Sequence, residues 1–335
     1  MGCQKTTRRQ ALAAIGAASA VGIAGCMGDN GGEEIQMRTS TEDTSAYQLS
    51  AGLAAVADEE ADFSIDARPS DGALQSMRQL DSGQTDMAYT DSLNAYEIAN
   101  EIGEYENEPF DNEIQSAFWY YDIQGGLAAV DQETCETAED LEGLSVNANP
   151  VGTAMRTMTE RHMEHAVDLD EIDELAVSYG EEGAALNDGT ADVVSDIRIN
   201  VDLQPSYVEE QYSINEDAWL VHWPDEVVES IESEEAPVTG EYIPTEDTPG
   251  PEVGDRDEEW WVSTIYNVFV TPDFDDDLMY SILELINDNS GELADYQALA
   301  GDWADMDNLA TPAANIPDVE MHAGAQNFFE DQGVL

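Results

Sequence analysis

The sequence predicts an α/β protein of two lobes. Three observations carry that expectation. Short strand-like runs alternate with amphipathic helical segments along most of the chain. The length, 335 residues, exceeds what one hydrophobic core usually organises, since domains average roughly 100–200 residues. Apolar residues make up 42% of the chain, with 6 Trp, 13 Tyr and 7 Phe among the core formers.

Taken in order, Ala46, Leu49, Leu53 and Val56 recur at helical spacing, residues 63–67 alternate like a strand, and Leu74, Met77 and Leu80 return to helical spacing. Residues 87–89 read as a strand and 93–102 as a helix, followed by two strands in series at 117–121 and 126–130. In the middle, strands are expected at 144–146, 175–178 and 191–199, separated by helices at 153–165 and 181–186. Residues 235–259, rich in Pro, Gly and acids, read as a surface loop. A β-rich run at 260–270 follows, and then only helices, at 276–287, 293–303 and 322–331.

The charge is one-sided. Asp and Glu number 74 against 10 Lys and Arg, a formal charge of −64, although the total charged fraction of 25% is ordinary. Phosphate binding needs a cationic footprint, so nucleic acid is excluded as a partner, as is adhesion to anionic lipid through a basic surface. Acids spread through folded-looking segments point to molar salt, where the Debye length is about 3 Å and neighbouring carboxylates hardly feel each other. The expected source is an extreme halophile.

The first residues read as an address. Lys5, Arg8 and Arg9 precede an uncharged apolar run at 11–25, the pattern of a twin-arginine secretory leader. The run is shorter than the roughly 20 apolar residues of a membrane span. It ends on Ile23-Ala24-Gly25-Cys26, which resembles a lipobox, so residues 1–25 are expected to be removed and Cys26 lipidated. The Gly- and acid-rich residues 26–34 then form a flexible tether, holding the protein at the outer face of the cell membrane. With Cys3 in the leader and Cys26 lipidated, Cys135 has no partner for a disulfide, and its neighbours Glu133 and Glu136 favour a structural thiol over a reactive one. From Cys26 onward there are 7 Arg, no Lys and all 74 acids, a formal charge of −67.

Several segments, in order, resemble the solute-binding subunits of tripartite ATP-independent periplasmic (TRAP) transporters, and within them the TAXI family. The terminal Met321-His322-Ala323-Gly324-Ala325-Gln326-Asn327-Phe328-Phe329 is similar to the family's His-Pro-Gly-Ala signature with its aromatic pair. Asp140-Leu141-Glu142-Gly143-Leu144-Ser145-Val146 resembles the Asp-Leu-Lys-Gly-Lys-x-Val start of a strand, and Asn149-Pro150-Val151-Gly152-Thr153 the Pro-Gly-Ser-Gly-Thr loop after it. Residues 83–91 and 185–192 match two further patterns ending on an Asp. The resemblance covers nearly the whole chain after the leader. It implies a type II periplasmic-binding-protein-like clamp, with residues 35–128 and 263–335 in lobe 1, residues 129–262 in lobe 2, and a ligand cleft between. It implies hinge closure on a small organic anion or amino acid, glutamate or dicarboxylate-like, and delivery to TRAP permease subunits; no cofactor and no catalysis are expected.

By the same resemblance Ser40, Thr44, Ser45 and Tyr47, between the first strand and first helix, face the solute, although Glu42 and Asp43 stand where the family has glycines. Helix N-termini offer unpaired amides to an anion, and a Ser or Thr there serves equally as a helix cap. Gly152 and Thr153 open the corresponding helix of the second lobe. Asp91 would either accept from a ligand amino group or cap the next helix. Arg68 and Arg156 are the candidate carboxylate clamps among few arginines, with tying down acids as the other use. His162 and His165 share a helix face but lack a third metal ligand, and read as solvated. An ABC-type receptor is the alternative within transport, and an exported enzyme the alternative outside it, though no nucleophile elbow or metal triad is present.

Overall fold

The computed structural model describes residues 32–42, 44–201, 203–234, 236–237, 239–245 and 250–335. The expected leader, Cys26 and most of the tether lie outside the described residues.

Three βα units open the fold: β1 (Glu34–Arg38), α1 (Ser45–Glu60), β2 (Ser64–Arg68), α2 (Ala73–Asp81), β3 (Met87–Asp91) and α3 (Ser92–Asn100). The long β4 (Gln115–Ala129) leads into β5 (Ser145–Asn147), α4 (Ala154–Met163), β6 (Asp173–Glu174), α5 (Glu182–Asp188) and β7 (Val193–Ile199). Next come α6 (Ser206–Ile214), β8 (Trp219–Leu220), α7 (Asp225–Glu232) and β9 (Thr239–Pro244). A second long strand, β10 (Glu258–Val270), precedes α8 (Asp276–Tyr296), α9 (Met306–Ala314) and α10 (Ala323–Gln332).

The strands run β2-β1-β3-β10-β4-β7-β5-β6, with β8 on β4 and β9 on β10. Parallel ladders hold β1 to β2 and β3 at one end and β5 to β6 and β7 at the other, each fed by crossover helices. Between them β4 and β10 run antiparallel, from Val262 opposite Gly125 to Val270 opposite Gln115. The first part of β4 lies against β10 and its last part against β7, so one strand belongs to both halves of the sheet. This is the two-lobed architecture expected from the sequence. Leu49, Leu53, Val56, Met279, Ile282 and Phe328 are buried in one core, and Leu127, Leu141, Val146, Met158, Trp223 and Trp260 in a second.

Four sequence expectations need correction. The two strands in series are one strand, because the polar residues that interrupt the apolar pattern are satisfied in place: Asp122 accepts from the Trp119 indole at 2.6 Å, and Gln124 bonds Glu241 and the Val201 amide. The pairing expected at 175–178 falls on the exposed Asp173 and Glu174, while Leu175 donates to the Val146 carbonyl and Val177 to the Asn147 side chain. The helix expected at 293–303 is divided: α8 continues through a non-helical Asn289 to Tyr296, and a 3₁₀ turn covers Ala298–Ala304. Part of the acidic loop pairs with β10 as β9, where the Trp260 ring lies so close to Gly240 that a Cβ there would stand 2.1 Å from Cε2.

The terminal signature is a docking device. Ser116 donates its amide to the Glu320 carbonyl and accepts from the His322 amide. His322 caps α10 by accepting from the Gly324 amide, and its other ring nitrogen bonds the Phe274 carbonyl at 3.0 Å. Gly324 sits against the start of α8, where a Cβ would lie 2.3 Å from the Asp276 carbonyl oxygen.

Candidate functional site

A cavity of about 290 Å³ opens between the two halves of the sheet. Four helices present their N-termini to it: α1 through Thr44 and Ser45, α2 through Gly72 and Ala73, α4 through Thr153 and Ala154, and α6 through Pro205 and Ser206. The first two helices come from one lobe and the last two from the other. First-turn amides have no intrahelical partner and carry the positive end of the helix dipole.

The two capping threonines do the same job in the two lobes. Thr44 Oγ1 accepts from the Tyr47 amide at 3.3 Å and donates to the Thr41 carbonyl at 2.7 Å. Thr153 Oγ1 accepts from the Arg156 amide at 3.3 Å and donates to the Pro150 carbonyl at 2.8 Å. Each hydroxyl therefore fixes the approach of its loop, and what the helix end offers the cavity is its backbone amides. Gly72 and Pro205, at the other two ends, make no side-chain cap. Gly72 has φ +133°, and a Cβ there would lie 2.9 Å from the Gly152 carbonyl oxygen, so the lobes approach each other closely beside the cavity.

Aromatic rings and aliphatic side chains complete the wall. Tyr89 on β3 stacks with Tyr266 on β10 at 5.2 Å, and Tyr179 stacks with Tyr207 of α6 at 5.0 Å. Met155, Ile123, Ile197 and Ile199 also line the cavity. The β4–β10 ladder shifts register between Tyr266 and Asn267, and such a bulge re-aims the side chains beside it. Burial raises the pKa of all four tyrosines, which keeps their hydroxyls neutral. Tyr121 donates to the Tyr89 hydroxyl at 3.5 Å, and Tyr266, a residue only 3% exposed, lines the cavity beside them.

Of the residues singled out in the sequence, Ser40, Thr44, Ser45 and Thr153 line this cavity. Gly152 stands beside it, turned toward Gly72. The half-buried Tyr47 is not part of the lining. Arg68 is not brought there either: its side chain is 66% exposed and paired with Asp66 at 2.8 Å. Arg156 is buried but fully engaged, with Nε on Glu160 at 2.6 Å, one guanidinium nitrogen on the Asn149 and Leu175 carbonyls, and the other on Glu174. It ties the loop before α4 to the segment after β6. Asp91 takes the capping role: one carboxylate oxygen accepts from the Leu93 and Asn94 amides and the other from the Asn94 side chain. The four tyrosines and the α2 and α6 ends did not emerge from sequence reasoning. The turn Pro69-Ser70-Asp71-Gly72 and the pair Pro205-Ser206 were local signals for the helix starts.

His162 is a further correction. It is buried rather than solvated, with Nδ1 on the Met158 carbonyl at 2.6 Å and its ring against Trp223 and Trp260, and burial lowers its pKa to about 4. His165 is held by Ser230 and Glu234. Among the described residues no group of three His, Cys, Asp or Glu is placed to hold a metal ion. Cys135 is buried, its thiol pushed up to about 12 by burial and by Asp140, as expected of a structural cysteine.

Residues 37–333 match the model of the NMT1-like family. The chain belongs to that family. No curated protein matches the sequence. Among solved structures, a Xanthomonas citri protein bound to ATP is similar over 89% of this chain and 98% of its own, with a TM-score of 0.53 at 9% identity. The periplasmic aliphatic sulphonate binding protein SsuA from Escherichia coli is similar over 89% of this chain and 83% of its own, with a TM-score of 0.46 at 11% identity. ArgBP from T. maritima follows at a TM-score of 0.43 and 14% identity, over 81% and 95% of the two chains. At these identities the likeness is one of fold. No helix among the described residues is long and apolar enough to cross a membrane.

Proposed function

We propose that the protein is an extracytoplasmic solute receptor, held at the outer face of the cell membrane through a lipid on Cys26, that closes on a small organic anion and hands it to a TRAP-type permease. The observation that carries this reading is the cavity itself. It lies between two lobes joined through shared strands, and four helix N-termini open into it. In this reading residues 35–128 and 263–335 move as one lobe and 129–262 as the other, with β4 and β10 as the hinge. The amides beyond Thr44 and Thr153 grip the anion from opposite lobes, so the solute stabilises the closed form. TAXI membership and the permease rest on the terminal signature, the strand start at 140–146, the loop at 149–153 and the two segments that end on Asp91 and Asp192.

Thermal denaturation of the purified protein in about 3 M KCl, against a panel of carboxylates, sulfonates and amino acids, tests the reading through mass-action stabilisation. A subset of anions should raise the Tm by several degrees. A flat response across the panel would remove the receptor reading.

A further inference from the structure

Resting on the receptor reading, we propose that the solute is, beyond its anionic head, a hydrocarbon body, branched or aromatic, seated on the strand floor of the cavity. The strands that join the lobes sort their side chains by face. Ile123 on β4 lies opposite Ile199 on β7, Gly125 lies opposite Ile197, and the three isoleucines line the cavity. Residues paired across a ladder point to one face, and neighbours along a strand to opposite faces. The alternate pairs, Gln124 with Arg198 and Gly126 with Asp196, therefore turn away from the cavity. On that far face Gln124 donates to Glu241 at 3.0 Å, Arg198 donates to Asp196 at 3.3 Å, and the Arg198 guanidinium stands 5.6 Å from the centre of the Trp261 ring.

Gly125 extends the apolar floor. A Cβ there would stand 2.5 Å from the Met155 methyl carbon, so the bare backbone is what lets Met155 of α4 lie down on β4. The two tyrosine pairs close the sides, Tyr89 with Tyr266 from one lobe and Tyr179 with Tyr207 from the other. The cavity is thus polar at the helix ends and apolar along the strands.

That division fits a solute divided the same way. A hydrocarbon body moved from water onto such a floor gains free energy with every methylene it buries. A second carboxylate laid against Ile123, Ile197 and Met155 gives up its water to side chains that cannot donate a hydrogen bond.

Isothermal titration of the purified protein in about 3 M KCl tests the proposal with two series, each sharing one head: 4-methylpentanoate, 3-phenylpropanoate and glutarate, and their 2-oxo counterparts 4-methyl-2-oxopentanoate, phenylpyruvate and 2-oxoglutarate. In whichever series binds, a hydrocarbon-bodied member should bind at least about tenfold more tightly than the dicarboxylate. Met155→Gln should weaken that member by about tenfold, and Met155→Leu should keep the preference; where Met155→Gln does not fold, the preference of the parent decides. A dicarboxylate that binds as well as its partners, or better, overturns the proposal and leaves the receptor reading standing. Thermal shifts given only by anions with polar bodies do the same. Unchanged affinity in folded Met155→Gln overturns the seat on this floor, whereas silence from every anion removes the receptor reading as well.

Discussion

At the scale of single residues, the side chains that matter most are buried polar groups. Glu182 bonds Asn147 at 2.7 Å and Ser195 at 2.6 Å through one oxygen, its other oxygen has no partner among the described residues, and burial raises its pKa from 4.5 to about 8. The folded state therefore holds a proton that the unfolded chain releases, so this contribution is complete below 4.5 and is lost as pH rises through about 8. His162, lowered from 6.5 to about 4, has the opposite sign: its contribution is complete above 6.5 and fades as pH falls through about 4. The two offset each other at acidic pH, which leaves a visible loss of roughly 2 kcal/mol between about pH 6.5 and 8. Denaturant unfolding at constant molar salt should show it, and Glu182→Gln should flatten it; an unchanged slope in the variant would assign the loss to other groups. The capping threonines were legible because each stands directly before a run with helical period. The tyrosine walls were not, since Tyr89, Tyr179, Tyr207 and Tyr266 come from four separated elements and each reads locally as a core residue. Arg156 shows the converse limit: it lies next to the site, but the Asn149 and Leu175 carbonyls that claim it are brought up by folding.

At the scale of elements, the fold turns on β4 and β10. Gly126 lies under Trp261, where a Cβ would stand 2.8 Å from the ring. Valine suits a strand better than glycine does, yet Gly126→Val should cost about 1–3 kcal/mol because the ring has to move. Gly324→Ala should cost a similar amount, about 1–3 kcal/mol, by driving α10 away from the start of α8. Equilibrium unfolding measures both, and a stabilised Gly126→Val would show that strand propensity, and not the ring contact, governs this position. Periodicity located most helices and the long β10 directly. It divided β4 because Asp122, Gln124 and the glycines between Ile123 and Leu127 break the apolar run, and only the pairing with β10 and β7 shows that the strand continues through them. It missed the pairing of β9 because a strand laid on an edge needs little apolar pattern of its own.

For the whole molecule, the charge and the site are separate problems. The formal charge of −64 belongs to the chain as a whole, whereas among the described residues the cavity wall includes no charged side chain. Such a body repels anions at long range until salt screens it, so affinity for the solute should rise steeply between low and molar KCl in protein that remains folded. Constant or falling affinity by isothermal titration across that series would count against an anionic solute. The most direct measurement is a crystal structure with the anion that gives the largest thermal shift. Its anionic group should lie within hydrogen-bond distance of the first-turn amides of α1 and α4; a ligand held by an arginine outside this cavity would contradict the proposed site.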